Sequence, residues 1–147
     1  MTIHLVASVS PKRSRPAPAR DLYRSAWFLE ARRYVEAQGG PWFILSARHG
    51  LVAPQQTLAP YNQTLNGPPI ATRRAWAALV QAQMDQLMPE ADRVVVLAGL
   101  MYRELLMNYL MRRYSSVEIP MEGMGIGQQL RWLSRCNGLS PVEQVSP

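Results

Sequence analysis

His49, one of two histidines in the chain, stands in Ser46-Ala47-Arg48-His49-Gly50, directly behind the apolar run Trp42-Phe43-Ile44-Leu45. An imidazole there can donate to or accept from a ligand near neutral pH, and Arg48 beside it can meet a phosphate. Further on, Pro60-Tyr61-Asn62 offers a flat ring on which a base can stack and an amide that donates and accepts at a base edge. Two more stretches suit phosphate. Ser8-Val9-Ser10-Pro11-Lys12-Arg13, with Arg15 just beyond, combines serines, the only lysine and two arginines. In Glu122-Gly123-Met124-Gly125-Ile126-Gly127-Gln128-Gln129, alternate glycines feed a helix start, where free amide hydrogens and the positive dipole end attract anions. Gln128 adds a side-chain donor there, and Glu122 is the carboxylate at hand. The glycine spacing is not the G-x-G-x-x-G of a dinucleotide site. Each stretch also has a plainer reading: a polar turn at 8–13, a turn-capping His49, a core-packed Tyr61, an Asx-turn at Asn62, and a glycine turn with Glu122 capping the helix.

Those residues need a scaffold that ends in them. Residues 3–9 are apolar and partly β-branched, a strand; 10–20 hold prolines and basic residues, a loop. Asp21 can cap a helix over 21–38, with Trp27, Phe28, Ala31, Tyr34 and Val35 on one face. After Gly39-Gly40 a second strand covers 42–45, and residues 46–66 follow with no period at all. An aperiodic stretch that long in a small domain is usually functional or disordered. Leu51, Val52, Leu58, Tyr61 and Leu65 point to an ordered loop. A helix over 68–87, the strand RVVVLA, a helix over 101–113, a strand over 116–120 and a last helix from 127 complete the chain, with Gly138 as its cap. The alternation predicts one α/β domain over 1–139: a four-stranded, mainly parallel sheet with helices on both faces and a frayed tail over 140–147. Such sheets bind ligands beyond the carboxyl ends of their strands, where all three stretches fall.

Composition sets limits. The chain has 147 residues, 48% apolar and 18% charged, ordinary for one globular domain. No apolar run reaches membrane-spanning length. The first residues lack the charged region of a signal peptide, so a cytoplasmic protein with no membrane partner is the expectation. A single cysteine and two histidines give no zinc pattern, and no metal or cofactor is expected. Net charge is +6, carried by fifteen arginines and one lysine. Residues 1–33 hold seven basic and two acidic side chains, which places five of the six net charges at one end of the sequence. That clustering points to nucleic acid as partner, against a merely solvated basic face.

Read together, SARHGLVAPQQTLAPYNQTL, VVVLAGLMYRELL and PMEGMGIGQQLRWL resemble a bacterial and phage-encoded family of unknown function. Its pattern includes A-x-D-L-Y-x-S, L-S-A-K-x-G-L, P-Y-D-x-T-L and E-G-L-G-I-G, and the likeness runs from about Val6 to Leu133. Lys12, Asp21, Tyr23, Ser25, Ser46, Gly50, Pro54, Pro60, Tyr61, Glu122, Gly125 and Gly127 fall on motif positions; Asn62 stands where the pattern has Asp. More weakly, the family resembles the YaaA stress proteins and the glycosylase-like domain of archaeosine synthase, and through them the uracil-DNA glycosylase fold. The resemblance implies binding to nucleic acid, DNA more than RNA, or hydrolysis of an N-glycosidic bond to a modified base. In that reading Glu122 steadies the sugar cation and holds water, and His49 donates to the departing base. Tyr61 stacks on the flipped base, Asn62 reads its edge, and Ser10, Lys12, Arg13, Arg15, Arg48, Gly125, Gly127 and Gln128 grip phosphates. The rival readings are a DNA-binding stress or defence protein without catalysis, and an enzyme of free nucleosides or nucleotides.

Overall fold

The computed structural model describes residues 1–8 and 12–138. Ser10 and the tail expected over 140–147 lie outside them. In chain order the elements are β1 (Thr2–Ala7), β2 (Ala17–Pro18), α1 (Ala19–Leu22), α2 (Ala26–Gln38), β3 (Trp42–Ser46), β4 (Gly50–Val52), β5 (Thr57–Leu58), α3 (Ile70–Leu87), β6 (Arg93–Leu97), α4 (Leu100–Arg103), α5 (Met107–Arg113), β7 (Ser116–Glu118) and α6 (Ile126–Gly138). The main sheet has the order β4-β3-β1-β6-β7. β1 pairs in parallel with both β3 and β6, and β6 with β7. The central strand is buried from Ile3 to Ala7, as a strand covered on both faces must be.

The sheet therefore has five strands, not the expected four. The fifth, β4, comes from the stretch expected to be loop: it runs antiparallel to β3, pairing Ser46 with Gly50, Leu45 with Leu51 and Ile44 with Val52. Ala47, Arg48 and His49 form a three-residue turn, closed by Gly50 at φ 74°, the left-handed residue such hairpins need. Three paired residues are too few to show a period in sequence. Thr57 and Leu58 form a second, two-stranded ribbon with Ala17 and Pro18.

Two expected helices are each split. Tyr23 is extended (φ −89°, ψ 133°) and separates α1 from α2. The cap of α2 is Ser25, whose Oγ accepts the Phe28 N–H at 3.0 Å; Asp21 instead meets the Arg32 guanidinium at 2.7 Å. The helix expected over 101–113 breaks at 104–106 into α4 and α5.

Residues paired across a parallel ladder share a face, so His4, Trp42, Val95 and Glu118 look the same way. That face is covered by α2 and α6: Tyr34 meets His4 edge-on, centroids 6.1 Å apart, and Trp132 packs on Tyr34 at 5.2 Å. On the other side α3 and α5 are tied by the Arg113 guanidinium, which donates to the Met84 and Met88 carbonyls at 2.8 and 2.9 Å. Right-handed crossovers require this division, because the chain moves one way from β1 to β3 and the other way from β3 to β6. No helix among the described residues is long and apolar enough to cross a membrane.

Candidate functional site

The carboxyl ends of β1 and β3 meet in a cluster of hydroxyls. Ser8 follows β1, and its N–H donates to the Leu45 carbonyl at 2.9 Å. Ser46 ends β3. The Tyr61 hydroxyl stands 2.8 Å from Ser46 Oγ, 2.6 Å from the Tyr23 hydroxyl and, at a looser 3.4 Å, from Ser8 Oγ. Ser46 Oγ accepts the His49 N–H at 3.1 Å, so its own proton is free for Tyr61. All four hydroxyl-bearing residues are buried. Burial, and then Tyr61 beside it, push the Tyr23 phenol far above its ordinary range, so it stays neutral.

Charge and imidazole sit directly over this cluster. Lys12 forms an isolated bridge with Tyr23, and its ammonium lies 4.4 Å from the Tyr61 ring centroid and 5.7 Å from that of Tyr23, within cation–π reach. Burial lowers the Lys12 pKa. His49 meets the Tyr61 ring edge-on at 5.5 Å. Its Nε2 is buried without a hydrogen-bond partner, and burial followed by the Arg48 charge lowers its pKa, which favours the neutral imidazole.

α3 holds the turn that carries His49. Gln83 donates from Nε2 to the His49 carbonyl at 3.0 Å and accepts the Leu51 N–H at 2.7 Å. The Trp76 indole donates to the Ser46 carbonyl at 2.8 Å. A side chain at Gly50 would run into the Gln83 amide as well as violate its φ. Tyr102, just past β6, joins from the other flank. Burial raises its pKa, while hydrogen bonding from Thr64, the Leu65 backbone and Ser8 acts the opposite way. Three neighbouring strand ends thus contribute to one cluster.

Beside it opens a cavity of about 500 Å³ lined by Arg48, His49, Ala59, Pro60, Tyr61, Asn62 and Gln63. Arg48 crosses its rim to Gln63 Oε1 at 3.2 Å, and Asn62 is exposed. Tyr61 is only 8% exposed. With Lys12 over its ring and its hydroxyl engaged, it organises the wall rather than offering an open face for stacking.

The remaining predicted residues lie further along the edge. Arg13 and Arg15 are exposed on the loop after β1, where Arg13 Nε donates to the Asp21 carbonyl at 2.6 Å. Glu122 follows β7 and is 66% exposed, with Arg103 Nη2 at 3.8 Å. At one strand spacing per step, its loop is ~10 Å from the end of β1 and ~14 Å from that of β3. Glu122 does not line the His49 cavity. Gly125 N–H already donates to Gln128 Oε1 at 2.9 Å, so Gln128 caps α6. Gln129 ties the glycine loop to α2, accepting from the Trp27 indole and donating to the Met124 carbonyl, both at 2.9 Å. No group of three or more His, Cys, Asp or Glu side chains able to hold a metal occurs among the described residues. Trp76, Gln83 and Tyr102 are not among the residues that the sequence marks for the site, although Trp76 and Tyr102 fall on the buried faces of their helices. Tyr102 alone carried a signal for the site, its place just after the clearest strand.

Residues 3–135 match the Family of unknown function (DUF6884). The chain belongs to this family. The DUF6884 match runs from β1 into α6, so every strand-end loop described above lies within the shared domain. No curated protein and no solved structure gives a significant match.

Proposed function

We propose that the protein binds nucleic acid across the carboxyl edge of its sheet and seats one base in the cavity beside His49 and Asn62. The observation that carries this is the convergence of Lys12, His49 and Tyr61, from segments far apart in sequence, on one buried hydroxyl cluster with that cavity against it. Buried hydroxyls fix the wall, Lys12 supplies positive charge over it, and Asn62 offers both donor and acceptor at the mouth. Arg13, Arg15, Arg24 and Arg48 are exposed and carry no acidic partner among the described residues, so their charges are uncompensated; Arg13 and Arg48 each spend one N–H on a neutral oxygen and keep others for phosphate. DNA is the first polymer to try, because the resemblances point to DNA-acting folds.

Hydrolysis of an N-glycosidic bond is the second reading. In its favour, His49 lines the cavity and burial favours its neutral form, which has one ring N–H to donate. Against it, the bond needs a carboxylate at the same sugar. Glu122 does not line the His49 cavity, and Asn62 stands where the resembled pattern has Asp. Fluorescence anisotropy with DNA and RNA oligonucleotides, run with a count of abasic sites in the same samples, separates the readings. Saturable binding weakened by Lys12→Ala and Asn62→Ala, with no abasic product, supports binding alone. Base release abolished by His49→Ala supports the second reading. Absence of binding to either polymer rejects both.

A further inference from the structure

A larger cavity lies elsewhere, at the amino ends of the strands. It measures about 590 Å³, and its walls include His4, Tyr34, Gln38, Arg93, Val95 and Glu118. Ladder register puts His4, Val95 and Glu118 on one sheet face, with Arg93 two residues before Val95 on the same side. Tyr34 and Gln38 reach it from the last turns of α2. His4 to Ser8 is four residues of strand, so this cavity is ~13 Å from the hydroxyl cluster. Of the motifs singled out in the sequence, only Pro120, the first residue of PMEGMGIGQQLRWL, borders it.

Its chemistry selects against charge. Arg93 is ion-paired with Glu118 in the wall itself, and the Met1 ammonium at its border with Asp92 at 3.6 Å, so each charge is already offset within the protein. His4 is 4% exposed, and its Nδ1 is buried without a partner. Burial, and then the neighbouring Arg93, favour its neutral form. A buried polar atom without a partner is destabilising until a ligand or a water completes it. Neutral His4 and Gln38 each carry a donor and an acceptor, while Arg93 only donates and Glu118 only accepts. Tyr34 adds a flat ring and Val95 an apolar wall. The volume lies in the range of small-ligand sites.

We propose that this cavity binds a neutral, planar molecule whose edge alternates donors and acceptors: a free nucleobase or its nucleoside. The site is separate from the carboxyl edge, and its existence does not depend on polymer binding there.

The chain has only two histidines, so imidazole NMR reads His4 and His49 separately. Adenosine, guanosine, cytidine and uridine, the free bases, the matching nucleoside monophosphates and inorganic phosphate are titrated in turn. At least one base or nucleoside is expected to move the His4 signal saturably, with a midpoint independent of any shift at His49. Gln38 is exposed, so Gln38→Ala keeps the fold; it should weaken that ligand about 3- to 10-fold, the worth of one hydrogen bond. Glu118→Gln leaves the Arg93 charge uncompensated and should shift preference toward the monophosphate. The proposal fails if no base or nucleoside moves His4 at millimolar concentration. It fails equally if phosphate alone reproduces the shift, or if Gln38→Ala and Glu118→Gln both leave the titrations unchanged.

Discussion

Replacing Arg13, Arg15 and Arg48 together by alanine should flatten the salt dependence of DNA binding. All three are exposed, and none is ion-paired to a described acid. They flank Lys12 and the His49 cavity from the loops after β1 and β3. Each phosphate neutralised contributes about 0.9 to the slope of log K against log salt for duplex, and about 0.7 for single strands. Losing three contacts lowers the slope by about 2.7 or 2.1. Between about 50 and 200 mM salt the wild type should then lose roughly 40-fold (duplex) or 20-fold (single strand) more affinity than the triple variant. The assay is anisotropy of a labelled oligonucleotide at four or more salt concentrations. Arg112→Ala, on an exposed position of α5, should leave the slope alone. Parallel slopes for wild type and triple variant would refute the placement of the phosphate track.

Three other outcomes test the site and its support. Tyr61→Phe keeps the ring under Lys12 but removes the hydroxyl shared by Ser46 and Tyr23; urea unfolding should show a loss of about 1–3 kcal/mol, and a loss below about 0.5 kcal/mol would mean the network is not satisfied as described. Gln83→Ala frees the His49 carbonyl and the Leu51 N–H, and should destabilise by about 1–3 kcal/mol and weaken oligonucleotide binding together; unchanged binding at reduced stability would separate the turn from the site. His4 and His49 both have pKa values lowered below the ordinary 6.5. The unfolded chain takes up protons first, so stability should be full above that value and fall as pH drops below it. A profile equally flat in wild type and in the His4→Gln, His49→Gln double variant would contradict the burial argument.

How much of this was legible in sequence depended on the range of the signal. RVVVL announced a strand because a continuous β-branched run is local, and the alternation of strands and helices announced a mainly parallel α/β sheet. β4 was hidden, since its three residues pair through a turn whose only mark is Gly50. Ser25, not Asp21, caps α2 because Tyr23 must leave the helix to reach Tyr61, a demand set 38 residues away. Motif positions such as Tyr23 and Ser46 were visible as a pattern, but their partnership through Tyr61 was not. Gln83 had no signal at all: an exposed-looking glutamine on a helix acts as a clamp only because β4 lies against α3. The carboxyl-edge loops were expected to close around one base. The structure brings Lys12, His49 and Tyr61 together there and leaves Glu122 on the far flank.

Hydrogen exchange of the full chain, with and without a DNA oligonucleotide, tests the central claim most directly. Slowed exchange is expected in the segments carrying Lys12, Ser46 to Gly50 and Tyr61 to Gln63, all in one titration and with one midpoint. Protection confined to other surfaces, or appearing in only one of those segments, would contradict a single interface built from separate strand ends.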